Sequence, residues 1–219
     1  MLMKENKNIE QSTGFTLIEL LVAMAIFGIV MAAIYTVYDS QQKTYLTQLQ
    51  VVAMQQNLRA ATLFLERDIR MAGYDPTKNN AARIITANAA VMRFTMDLNG
   101  DGDVTDADED ILYNLYDADG DGDMDLGRTA NGVLSLLADN MDAMNFVYLD
   151  KNGLVTTVLN DIRSVQLTLV ARAGQRDTGI VNNLGYRNQQ GTVIYTGPND
   201  NFRRRQLNTQ IKCRNIGLP

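Results

Sequence analysis

Between Asp97 and Asp125 the chain places twelve acids and no Lys or Arg. The first part of this run sets oxygen-bearing side chains at alternate places. Asp97, Asn99 and Asp101 occupy the first, third and fifth positions of a loop, with Gly102 at the sixth, Val104 at the eighth and Asp108 at the twelfth. That spacing is the EF-hand calcium-loop pattern with Asp in place of the terminal Glu. The glycine permits the sharp turn. Asp103, at the seventh position, would ligate through its backbone carbonyl, and Thr105, at the ninth, directly or through water. The shorter Asp108 weakens a bidentate clamp, and Glu109 beside it is a substitute. Seven acids from Asp97 to Asp110 repel one another, and a bound divalent cation offsets that repulsion.

A second run repeats the pattern: Asp117, Asp119 and Asp121, then Gly122 at the sixth place, Asp123 at the seventh, Met124 at the eighth and Asp125 at the ninth. Arg128 stands at the twelfth, where a clamping carboxylate belongs. This loop reads as a truncated site, as one sharing ions with the first loop, or as a charged turn. Hard oxygen donors without an enforced octahedron favour Ca2+ over Mg2+, so the expected cofactor is Ca2+, held by loops at 97–110 and 117–128.

Other chemistry has little raw material. The sequence has no histidine or tryptophan and a single cysteine, Cys213, which rules out an intrachain disulfide and any His- or Cys-based zinc or haem site. No nucleophile–base constellation appears, so an enzyme is not expected and the catalytic residues are none. Net charge is −5, but nearly half of the 25 acids sit in the acidic window, leaving the rest of the 219-residue chain net basic. Arg203-Arg204-Arg205 reads as a solvated strand end, with no nucleic acid expected as partner. Cys213 reads as a small buried residue.

The elements that must position the loops follow from periodicity. Met92 to Met96 and Ile111 to Tyr116 alternate as strands, so the first loop should cap a β-hairpin. Met144 to Leu149, Val165 to Val170 and Leu207 to Cys213 read as further strands. The stretch from Gly174 to Asn201 reads as a long loop with a brief strand at 192–195. Upstream, Tyr38, Tyr45, Leu49, Val52, Leu58, Ala61, Leu65 and Ile69 recur at helical steps, and no proline interrupts 15–72 before Gly73 and Pro76. The expected fold class is α+β: a long N-terminal helix laid on an antiparallel β-sheet, with 74–219 as the globular part.

The N-terminal half of that helix is a separate problem. Phe15 to Tyr35 is apolar except for Glu19, and about 21 residues at ~1.5 Å each match a bilayer core of roughly 30 Å. An acid inside such a span costs about 2.5–3.5 kcal/mol on insertion scales and needs compensation. A secretory signal would carry its cleavage site after the apolar run, whereas Gly14 stands before it.

Gly14-Phe15-Thr16-Leu17-Ile18-Glu19 resembles the prepilin cleavage and methylation motif of type IV pilins and type II secretion pseudopilins. The resemblance implies a pilin-like fold, a leader at 1–14 cut after Gly14 by a prepilin peptidase, and N-methylation of Phe15. It also implies a contact between Glu19 and the N-terminal amine of a neighbouring subunit. The span at 15–36 would lie in the inner membrane as a single pass before assembly and in the filament core afterwards, with an amphipathic half at 37–73. Residues 134–219 resemble, more diffusely, the PilW type of minor pilin and the J-type pseudopilin of type II secretion. The resemblance makes other minor pilins and the major pilin the partners, through the N-terminal helix. The function expected is initiation, assembly or tip structure of a type IV pilus, ending in an extracellular or periplasmic filament. The alternatives are a type II secretion pseudopilin and a calcium-dependent adhesive tip. The acidic loops themselves resemble the Asp-terminated loops of dockerin modules and, in their repetition, thrombospondin type 3 repeats.

Overall fold

The computed structural model describes residues 14–217. Helix α1 runs Leu17–Met71, then ten strands follow: β1 Ile84–Ala87, β2 Met92–Thr95, β3 Asp110–Tyr116, β4 Asp125–Ala130, β5 Val133–Ala138, β6 Met141–Leu149, β7 Ser164–Arg172, β8 Gly185–Arg187, β9 Val193–Thr196 and β10 Arg204–Lys212. The chain divides into two compact units at Leu46/Thr47, within α1.

The first unit carries the apolar part of α1. Its large apolar side chains, from Leu17 through Val37, are all exposed, and this stretch is long and apolar enough to cross a membrane. Of the expected leader at 1–14, residues 1–13 lie outside the described residues. The helix begins two residues after Phe15, because Thr16 serves as its cap.

The second unit is built on the remaining part of α1. Met54, Leu58, Ala61, Leu65, Asp68 and Ile69 are buried, a stripe at steps of three and four that turns one helix face inward. The stripe is shorter than the sequence pattern: Tyr38, Tyr45, Leu49 and Val52 are exposed, and Met54 joins in their place. The helix ends at Met71, two residues short of the expected boundary, and the Gly73 N–H donates to the Thr95 carbonyl at 2.9 Å.

In place of a single sheet there are three. Strands β1-β2-β3-β4-β5 form an antiparallel meander, β10-β7-β6 a second sheet and β8-β9 a small third. One core serves α1 and the two larger sheets. Phe94, Ile111, Tyr113 and Leu126 come from the meander, Phe146, Val165, Leu167 and Ile211 from the second sheet, and Leu58, Leu65 and Ile69 from the helix. Cys213 is buried in the same core.

The Arg run departs from the expected solvated end. The Arg204 side chain is 1% exposed and pairs with both Asp142 and Asp200, while Arg203 pairs with Asp177 at 2.7 Å. Asp200 is only four positions before Arg204, but Asp177 and Asp142 lie 26 and 62 positions from their partners, too far along the chain to be seen from the run itself.

Candidate functional site

Two places carry the residues singled out by the sequence: the start of α1 and the acidic loops. At the first, Gly14 and Phe15 are exposed, Phe15 at 92%. The Thr16 N–H and the Thr16 hydroxyl both donate to Glu19 Oε2 at 2.8 Å, and the Glu19 N–H donates back to Thr16 Oγ1 at 3.3 Å. This is a reciprocal capping box, which satisfies two otherwise orphaned N–H groups of the first turn. It holds the Glu19 carboxylate within its own chain, so part of its cost in an apolar span is met locally. Thr16 was not singled out from the sequence, although Thr-x-x-Glu ahead of an apolar run is the signal that would have found it.

The first acidic loop joins β2 to β3, at a hairpin tip as expected. Asp97 is fully buried and accepts from the Gly100 and Gly102 N–H groups at 2.6 and 3.0 Å. Asn99 Oδ1 accepts from the Asp101 N–H at 2.9 Å, Asp101 Oδ1 from Asp103 N–H at 3.0 Å, and Asp103 Oδ1 from both the N–H and hydroxyl of Thr105 at 2.8 Å. Glu109, 1% exposed, closes the loop by accepting from the Leu98 and Asp106 N–H groups at 2.8 and 3.1 Å. Asp108 does not join this set; it accepts from Arg128 Nη1 at 2.8 Å. Instead Asp106, which the spacing did not single out, lies with Asp101 and Asp103, their carboxylate oxygens within 4.8 Å of one another. The Asp101 carboxylate next to Asp106 raises the Asp106 pKa, the signature of like charges sharing a site.

The second loop, between β3 and β4, repeats the same bonds. Asp117 accepts from the Gly120 and Gly122 N–H groups at 2.7 and 3.2 Å, as Asp97 does from Gly100 and Gly102. Gly102 and Gly122 sit at φ +91° and +88°, the left-handed region that a side chain would strain. Asp119 Oδ1 accepts from Asp121 N–H at 3.2 Å and Asp121 Oδ1 from Asp123 N–H at 3.0 Å. Carboxylate oxygens lie within 4.8 Å of one another in three overlapping groups: Asp117, Asp119 and Asp125; Asp119, Asp121 and Asp123; and Asp123, Asp125 and Asp139.

Asp123 differs from the rest. It is 5% exposed, and Arg172 Nη2 donates to its Oδ2. Its Oδ1 is buried with no hydrogen-bond partner among the described residues. Burial first, and then the Asp121 carboxylate, push the Asp123 pKa up to about 6. A buried carboxylate oxygen left unpaired among other acids fits a hard cation as its missing partner. Such an ion would be held by Asp side chains of the loop and would offset their mutual repulsion.

Arg128, at the twelfth place, turns away from the loop. Its Nε donates to Asp68 Oδ2 at 2.7 Å, and the same oxygen accepts from the Tyr113 hydroxyl at 2.8 Å. Arg67 Nε donates to Asp68 Oδ1 at 2.9 Å. Asp68, on the buried face of α1, is therefore an acid with three donors, and burial together with its charge pushes the Tyr113 phenol pKa upward.

The start of α1 and the globular part each match a known family. Residues 11–35 match the prokaryotic N-terminal methylation motif, and residues 47–214 match the model of the family described as prepilin peptidase-dependent protein B. No curated protein matches. Among solved structures, a type IV-like pilin from Thermus thermophilus aligns at 12% identity and a TM-score of 0.47, covering 74% of this chain and 98% of that one. The family match spans well over half of the chain and follows the methylation motif that contains the exposed Gly14–Phe15 junction. This chain is therefore a type IV pilin-like protein belonging to the prepilin peptidase-dependent protein B family.

Proposed function

We propose that the protein is a minor pilin of the PilW type, taking part in initiation, assembly or tip structure of a type IV pilus, and that Ca2+ stabilises the acidic loops of its globular part. The observation that carries the role is an apolar helix surface, exposed from Leu17 through Val37, directly behind a cleavage and methylation motif. A surface of that size is covered by lipid before assembly and by neighbouring pilin helices afterwards. The role is structural. The sequence has no histidine, and burial pushes the Cys213 thiol pKa up to about 12, which leaves it inert at neutral pH. In the assembled filament, the Glu19 carboxylate would accept from the N-terminal amine of a neighbouring Phe15.

Deleting the gene and shearing surface filaments tests the role. The expected result is a sharp loss of filaments, restored by the wild-type gene, with the tagged protein present in sheared filaments at a small fraction of the main subunit. Wild-type filament numbers in the deletion strain would contradict it, and intact pili with loss of protein secretion would replace it by the pseudopilin role.

The calcium component has its own test. At ten times Kd, a cation bound only by the folded state adds about 1.4 kcal/mol, equivalent to roughly 3–6 °C in Tm for a domain of this size. Excess chelator should lower Tm by about that much, and added Ca2+ should restore it. A melting curve indifferent to chelator and to Ca2+ removes the cation from the account.

A further inference from the structure

The second acidic loop lacks a closing carboxylate in sequence, because Arg128 holds the twelfth place and is committed to Asp68 and Asp108. The fold brings one from elsewhere. Asp139 lies in the tight turn between β5 and β6, fourteen positions beyond Asp125 in the chain, yet its carboxylate oxygen is within 4.8 Å of those of Asp123 and Asp125.

The turn is pinned there. The Asn140 N–H donates to Asp125 Oδ1 at 3.0 Å, the Met141 N–H to the Met124 carbonyl at 2.6 Å, and the Arg172 N–H to the Asn140 carbonyl at 2.9 Å. Asp125 also accepts the Ala118 N–H at 3.0 Å through Oδ2, so both of its oxygens are oriented while each retains a lone pair. The third member, Asp123, is buried, with Oδ2 taken by Arg172 and Oδ1 without a hydrogen-bond partner among the described residues. Arg172 pairs with Asp123 alone among these acids and also stacks over the Phe202 ring at 4.5 Å. One guanidinium cannot neutralise three converging carboxylates, and no hydrogen-bond donor among the described residues reaches Oδ1.

We propose that Asp123, Asp125 and Asp139 together bind a divalent cation, Ca2+ by the hardness of the donors, with the turn residue Asp139 closing the second loop in place of its twelfth residue. This rests on the reading of the acidic loops as Ca2+ sites and adds a ligand that no loop pattern contains. The ion would tie the β3–β4 loop of the meander to the turn that leads into the second sheet, bracing the seam between the two sheets.

The test uses the full chain purified in detergent, stripped by chelator and titrated with Ca2+ in a calorimeter, as wild type, Asp139→Asn, Asp139→Glu and Asp119→Asn. Asp139→Asn should lose one ion or bind it at least about tenfold more weakly, while Asp139→Glu, which keeps the carboxylate, should retain it. Far-UV circular dichroism checks the fold of each, and Asp139→Ser repeats the comparison should the Asn variant differ from wild type. If Asp119→Asn weakens binding but Asp139→Asn titrates like wild type, Asp139 is no ligand and the inference falls while the loop reading stands. If neither substitution changes the titration, the second loop holds no cation and the inference falls with it, while the first loop, with Asp101, Asp103 and Asp106 untouched, is judged by whether the titration shows any Ca2+ uptake at all.

Discussion

Asp68→Ala is expected to destabilise the globular part by about 3–5 kcal/mol, the usual cost of removing one partner from a buried charge pair. Asp68 is 3% exposed and receives three donors: Tyr113, Arg128 and Arg67. Without it, the Tyr113 hydroxyl is left buried with no acceptor, and Arg128, 15% exposed, keeps only the more exposed Asp108. Tyr113 and Arg128 belong to β3 and β4, so the loss would also release the meander from the helix. Asp110→Asn is the control. It removes a partner of Arg93 at the surface and should cost about 1 kcal/mol or less, because an exposed pair is screened by solvent. Urea unfolding monitored by circular dichroism measures both. A loss for Asp68→Ala no larger than that of the control would show that the buried cluster contributes little to holding helix and sheet together.

The second large effect is on processing rather than on stability. Gly14→Val should leave the leader attached and keep the protein out of filaments. A Cβ built on Gly14 meets nothing within 4 Å, so the folded chain has no reason to object to a side chain there. The substitution therefore separates recognition by a peptidase from folding: Tm should stay at the wild-type value while the mature form disappears from an immunoblot. Normal maturation of Gly14→Val would mean that the cut is made elsewhere. Such a result would remove the free amine at Phe15 on which the proposed Glu19 contact depends.

The parts of this protein that were legible in the sequence are those whose meaning is local. The motif from Gly14 to Glu19 is six consecutive residues. The loops announce themselves by alternating Asp and Gly, and the flanking alternation of apolar residues places the hairpin from Met92 to Tyr116. What stayed hidden depends on distance along the chain. Asp68 looks like one more polar residue on an amphipathic helix, because Tyr113 and Arg128, which make it a core residue, are 45 and 60 positions away. Asp139 is an ordinary turn acid until the fold sets it beside Asp123 and Asp125.

Strands β4 and β5 were also hidden, for different reasons. Asp125-Leu126-Gly127-Arg128 has no alternation, and its Gly127 is needed because the Tyr116 ring and Leu134 approach to within 3 Å of where a Cβ would stand. Val133, Leu134 and Leu136 lie on an edge strand exposed on both sides, so burial imposes no period of two on them. The buried helix face is shorter than its spacing suggests for a related reason. Tyr38, Tyr45, Leu49 and Val52 keep a helical spacing, yet they are exposed, and the spacing of an apolar stripe does not by itself say what covers it.

On the proposed role, this chain is a prepilin whose cut after Gly14 creates the end that assembles. Intact-mass spectrometry of the protein recovered from its native membrane or filament tests it most directly. The expected result is a single mature species beginning at Phe15 and heavier by one methyl group on its N-terminal amine. A mass that retains residues 1–14 would contradict it.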